Sequence, residues 1–216
     1  MAQQWPVFIT AARAPPKVVN RALLLIQDFE YTKYPEESQW TLLTSKDLPN
    51  VPPPATAVPL PNPDFVLARN AFTSMSLVEI NTFVRTHEDS LKEIRISSHN
   101  WVVIDQKGFE TSTCLVCEQY YNPGEEYDGE GEGGITSEFR ACRLPWEETL
   151  ITFCNLDIAN MSFEDFVDEE AGEQADGSWR WRSCIPNTKG EEIILTAAEE
   201  KREKALKALR DNGFVD

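Results

Sequence analysis

Half of the prolines in this 216-residue chain fall within one short stretch, and that stretch limits what its surroundings can become. Pro49, Pro52, Pro53, Pro54, Pro59, Pro61 and Pro63 are seven of the fourteen. Proline lacks the N–H that a helix interior or a central strand needs, and its ring fixes φ, so residues 49–63 are neither. They read as an extended connector, or as an insertion draped over the domain. The segment before them is too short for a core of its own, which favours one domain over residues 1–216 rather than two joined by a linker.

On either side, the pattern alternates between short apolar runs and capped, helix-like segments. Strands are expected at 22–28, a continuous apolar run, and at 65–69. Two more, 101–105 and 113–120, should form a hairpin around the turn Gln106-Lys-Gly108, followed by strands at 137–143 and, at an edge, 179–181. Pro35 and its acidic followers predict a helix over about 35–45. Ser76 and Glu79 form a capping box that opens a helix over 76–92, and Thr196 with Glu199 opens a C-terminal helix over 196–211, stopped at Gly213. Pro145-Trp146 starts a helical turn, and Ser162 to Asp165 caps a short helix. The predicted class is α/β (α+β), a single mixed β-sheet with an antiparallel hairpin, covered by helices. An apolar content of 41% suffices for its core.

Charge narrows the partners. The formal net charge is −16, and residues 118–176 carry 17 Asp/Glu against two basic residues, Arg140 and Arg143, a net −15. Phosphate backbones need Lys and Arg, so no nucleic acid partner is expected. An acidic face suits cations, a basic protein, or solubility. The Gly-rich acidic loop 122–134 imitates a calcium loop, with Asp128, Glu130 and Glu132 at positions 1, 3 and 5 and Gly133 at 6. Position 12 is Phe139 where a bidentate Glu is required, so no metal site is expected. The N-terminal residues lack a basic start followed by an apolar core, and Ala22–Ile26 is far too short to span a bilayer. A cytoplasmic protein without a membrane partner is expected. Five cysteines, an odd number, read as free thiols. Cys114 and Cys117 have a redox or zinc spacing, but on a strand residues i and i+3 face opposite ways.

The remaining candidates are for acid–base chemistry. His99 precedes the Trp101 strand, where a loop presents it, whereas His87 lies within a helix. Asp28, Glu30, Asp105 and Glu118 are carboxylates at predicted strand ends, where α/β sheets bind ligands, and Asp28 and Glu118 are expected to approach one another. Trp101, Tyr120, Trp146 and Trp179 are expected to line an apolar pocket. There is no GxGxxG after a strand, no Walker loop and no GxSxG, and no cofactor is expected. The reading is a cofactor-independent enzyme of cyclase, isomerase or hydrolase type acting on a small organic molecule, as in biosynthesis. The alternative is an acidic interaction module or inhibitor of a basic protein. An enzyme needs a concave pocket holding a carboxylate or His; a binder needs an exposed charged face.

One further signal lies in the runs Ser137-Glu-Phe-Arg140, Leu144-Pro-Trp146 and Asn155-Leu-Asp-Ile-Ala-Asn160-Met-Ser-Phe-Glu-Asp-Phe166, then Asp176-Gly177 and Trp179-Arg-Trp181. These, with Leu23–Phe29 and Val116–Tyr120, resemble an uncharacterised domain family of short bacterial and fungal proteins. The resemblance covers about residues 20–46 and 100–182. It implies a shared fold, with a strand leaving the sheet near Ile158 and a capped helix packing Phe163 and Phe166 inward, and it carries no active site.

Overall fold

The computed structural model describes residues 3–29, 37–122, 134–183 and 196–216. Its centre is a six-stranded mixed sheet, β1 (Trp5–Ile9), β2 (Trp40–Leu43), β3 (Asn100–Ile104), β4 (Thr113–Asn122), β5 (Gly134–Pro145) and β6 (Trp179–Arg180), in the order β2-β1-β3-β4-β5-β6. β1 is parallel to β2 and β3, β4 is antiparallel to β3 and β5, and β6 closes the edge parallel to β5.

Alternation along the strands splits the core into two layers. Val7, Ile9, Val102, Ile104, Cys114, Val116, Cys142 and Leu144 face one layer; Phe8, Trp101, Val103, Leu115, Cys117 and Ala141 face the other. The first is covered by α1 (Pro16–Leu25), α6 (Thr149–Asp157) and α7 (Ala197–Asp211), and by Phe163 and Phe166 of a 3-10 turn. The second is covered by α3 (Leu77–Thr86) and α4 (Glu88–Glu93). No described helix is long and apolar enough to cross a membrane.

Fold class, the antiparallel β3–β4 pair, the capping boxes at Ser76, Ser162 and Thr196, and the edge position of Trp179 are as read from the sequence. Several elements differ. The run 22–28 is the end of α1 with its cap and the turn that follows, not a strand. Pro16 starts that helix, its polar residues Lys17, Asn20 and Arg21 all precede the run, and the last turn is buried, so the run by itself shows no helical period. β1, an interior strand between β2 and β3, was not expected. Of the helix expected over 35–45, the described part holds the edge strand β2, and Phe65–Arg69 lies in the short helix α2 (Pro63–Ala68) and its cap. The helix over 76–92 is broken at His87, which ends α3 and begins α4. The expected turn at 106–108 is a six-residue helix, α5 (Gln106–Thr111), with Asp105 as its N-cap. Ile158 lies at the end of α6, not on a strand leaving the sheet, and Ala159 turns the chain at φ 51. Phe163 and Phe166 do pack inward. The acidic loop from 123 to 133 lies outside the described residues.

The Pro-rich stretch runs along the outer edge of β2. Thr56 donates its N–H to the Trp40 carbonyl at 2.8 Å, and its hydroxyl accepts the Leu42 N–H at 2.6 Å. The Leu60 N–H donates to the buried side chain of Asn20 at 2.9 Å. Polar groups of β2 that would otherwise offer an open ladder to another chain are thereby covered.

Candidate functional site

The strand order reverses between β1 and β3. The chain steps outward from β1 to β2 through α1, then returns past β1 to β3 with α3 and α4 on the opposite face. Beyond the carboxyl ends of β1 and β3 lies a cavity of about 480 Å³ bordered by Thr10, Asp105, Arg143, Asp176 and the first turn of α3. This is where open α/β sheets bind ligands. Thr10 is fixed from both sides: its N–H donates to the Ile104 carbonyl at 3.0 Å, and its carbonyl accepts the Ser74 N–H at 2.8 Å.

Asp105 performs two tasks here. Its Oδ1 accepts the Gly108 N–H at 2.7 Å, capping α5, and both its oxygens accept from Arg143, Nη1 to Oδ1 at 3.0 Å and Nη2 to Oδ2 at 2.5 Å. The Arg143 side chain is only 11% exposed. A two-point guanidinium–carboxylate contact in such surroundings fixes both side chains far better than a surface pair. On the other side, Asp176 lies 3.9 Å from Arg143 Nε and accepts from Lys107 Nζ at 2.9 Å and from the Ser178 hydroxyl at 2.5 Å.

Partial burial works against the charge on Asp176, yet the hydrogen bonds from Ser178 and Lys107 outweigh it and bring the carboxyl from its ordinary 3.8 down to about 2. A lowered folded pKa gives stability that is complete above the unfolded value and lost as the carboxylate protonates. The difference in urea midpoint between wild type and Asp176→Asn should therefore be constant from pH 7 to about 4 and close as pH falls toward 2. A difference unchanged at low pH would contradict the assignment.

Of the expected acid–base residues, only Asp105 borders this cavity. His99 is exposed at the opposite end of β3, on a different cavity. Glu118 points to the other face of the sheet and accepts from Arg140 Nη2 at 2.6 Å; burial raises its carboxyl above the ordinary range despite that partner. Arg140 also donates to Glu164 and stacks over Tyr120 and Phe163. Asp28 lies not at a strand end but in the turn after α1, where its charge acts on Cys154 of α6. Glu30 lies outside the described residues.

The aromatic-lined pocket is also corrected. Trp101 and Trp146 are 0% and 1% exposed and belong to the core, with the Trp146 indole N–H donating to the Thr113 carbonyl at 2.7 Å. Large rings contribute most when buried, which draws them into the sheet layers. Tyr120 and Trp179 are half-buried and line a shallow groove of about 220 Å³ that shares Phe139, Glu173 and Gly177 with the cavity at Asp105. The residues missed by sequence reasoning are Thr10, Arg143 and Asp176. Arg143 had a signal, being one of two cations in the acidic block.

Cys114 and Cys117 face opposite layers, so they share no ligand. Burial pushes the Cys114 and Cys142 thiols up to about 12 and Cys154 to about 11, far from thiolate reactivity at neutral pH. Among the described residues, no three His, Cys, Asp or Glu side chains are grouped to hold a metal ion. Compared with protein-family models, curated proteins and solved structures, the chain matches none.

Proposed function

We propose that the protein is a cofactor-independent enzyme acting on a small polar organic molecule bound beyond β1 and β3, with Asp105 as its acid–base group. The observation that carries this reading is the cavity at the strand-order reversal, where Asp105 is oriented by a helix cap on one side and by Arg143 on the other. Cyclase, isomerase and hydrolase reactions all need a positioned proton carrier, and a carboxylate whose rotamer is fixed at two points meets that need. The charged border favours a polar substrate over the apolar one that an aromatic lining would suit.

Asp105→Asn keeps the cap on α5, because Asn caps a helix about as well as Asp, while carrying no basic oxygen. Both proteins would be incubated with a fractionated small-molecule extract and followed by mass spectrometry. The expected result is a compound consumed by the wild type and untouched by Asp105→Asn, with both assayed below the variant's melting temperature, which the loss of Arg143's partner lowers. Consumption by both, or by neither, sinks the reading.

A second reading, an acidic module binding a basic protein, is favoured by a different observation. The two cations of the acidic block, Arg140 and Arg143, are both engaged internally with carboxylates, while Glu169, Glu170 and Glu173 stay exposed. Capture of a basic partner through that surface would weaken steeply with salt.

A further inference from the structure

We propose that the cavity at Asp105 takes a substrate carrying a protonated amine, whose N–H groups are received by the Thr10 hydroxyl and the carboxylates around it. This names the chemistry of the ligand, and it rests on the reading of that cavity as the substrate site.

Thr10 carries a group that the fold does not use. It follows Ile9, which pairs with Ile104, so Thr10 and Asp105 stand side by side on parallel strands, about 5 Å apart. Alternation turns both toward the α3 side of the sheet, the side that Phe8 and Val103 face, and both border the cavity. Thr10 is 7% exposed. Its N–H and carbonyl are engaged with the backbone, but among the described residues nothing hydrogen-bonds to its hydroxyl. A buried polar group without a partner is costly, and valine would fill the same place at a strand end. What threonine adds is a hydrogen-bonding group in the wall of the cavity.

Charge decides what meets that hydroxyl. Three carboxylates, Asp105, Glu173 and Asp176, border the cavity against one cation, Arg143. Asp105 is matched by Arg143, and Asp176 by Lys107. The positive end of α3 also opens here, where an anion would ordinarily bind. It is already met: the Ser76 hydroxyl accepts the Glu79 N–H at 3.3 Å, and the Glu79 carboxylate accepts the Ser76 N–H at 2.8 Å. Glu173 is left, with no partner among the described residues. The border thus keeps one uncompensated negative charge in the most acidic stretch of the chain, and the fitting ligand is a monocation. A protonated amine brings that charge together with N–H donors, which a hydroxyl and carboxylates accept. A carboxylate or phosphate compound would find Arg143 and the helix end already engaged.

The test titrates the full chain with butylamine hydrochloride and, separately, with sodium butyrate at the same ionic strength, following the Thr10 and Gly177 amides by NMR. Saturable shifts are expected with butylamine and none with butyrate. Thr10→Val keeps the shape of the side chain and removes its hydroxyl. It should bind butylamine about ten-fold more weakly while melting at the same temperature as wild type or higher, because the hydroxyl has no partner within the fold. Glu173→Gln should weaken binding about three-fold and leave the melting temperature in place. Saturation by butyrate, no saturation by butylamine, or Thr10→Val binding as tightly as wild type would each overturn the proposal. A compound consumed in the extract assay but lacking a basic nitrogen would also overturn it, and would leave the enzyme reading standing. Saturable butylamine binding with no compound consumed would sink the enzyme reading and leave the amine site standing.

Discussion

Replacing Arg143 with methionine should lower the free energy of unfolding by about 3 kcal/mol, measured by urea denaturation at pH 7. Methionine conserves much of the arginine's apolar stem, so the loss is of charge and hydrogen bonds rather than of volume. What remains is the Asp105 carboxylate, 28% exposed, without its two-point partner, and Asp176 beside it. Removing one member of a buried pair costs about 3–5 kcal/mol because the other is left uncompensated. The remaining exposure of Asp105 places this case at the low end. Adding Asp105→Asn to Arg143→Met should recover part of the loss, since no orphaned charge remains while Asn keeps the cap on α5. A single-variant loss below about 1 kcal/mol would reduce the pair to an ordinary surface bridge.

Gly108→Ala should also destabilise, by about 3 kcal/mol, although it lies inside a helix. Helix propensity alone predicts a gain of about 1 kcal/mol from such a change. Sterics decide otherwise: a Cβ on Gly108 would sit 2.4 Å from the Thr113 carbonyl oxygen and 3.1 Å from Asp105 Oδ1. The obstacle is backbone, and it is already committed, because the same Thr113 oxygen accepts the Trp146 indole N–H. Moving it disturbs β4 and the core together, and tilting α5 instead pulls Asp105 away from Arg143. A neutral or stabilised Gly108→Ala in the same urea assay would show that α5 shifts freely, which conflicts with the geometry at Asp105.

The parts of the fold legible in sequence were those with local chemistry of their own. The Ser76, Ser162 and Thr196 caps declare themselves within four residues, and β3 and β4 show as apolar runs either side of a short break. β1 was hidden because it is buried on both faces, so its residues do not alternate, and because Pro6 sits within it. The run Ala22–Ile26 misled for the complementary reason, the last turn of a helix and its cap being buried on every side. At the site, Asp105 was legible as a carboxylate ending a strand. Arg143 and Asp176 were not placed, because their meeting with Asp105 depends on the β4–β5 register and on a segment about seventy residues further along the chain. Trp101 and Trp146 were misassigned because burial and ligand stacking ask for the same side chain.

The prolines along β2 have a thermodynamic consequence beyond covering an edge. A flexible loop of this length would surrender much backbone freedom on being laid down, and few anchors hold this one: Thr56 and Leu60 contribute three hydrogen bonds. Seven residues of the segment have φ nearly fixed before folding begins, so the denatured chain has correspondingly less disorder to give up there. The segment's contribution to stability thus resides largely in the unfolded ensemble, and replacing its prolines with alanine would weaken the protein while leaving every hydrogen bond described along β2 in place.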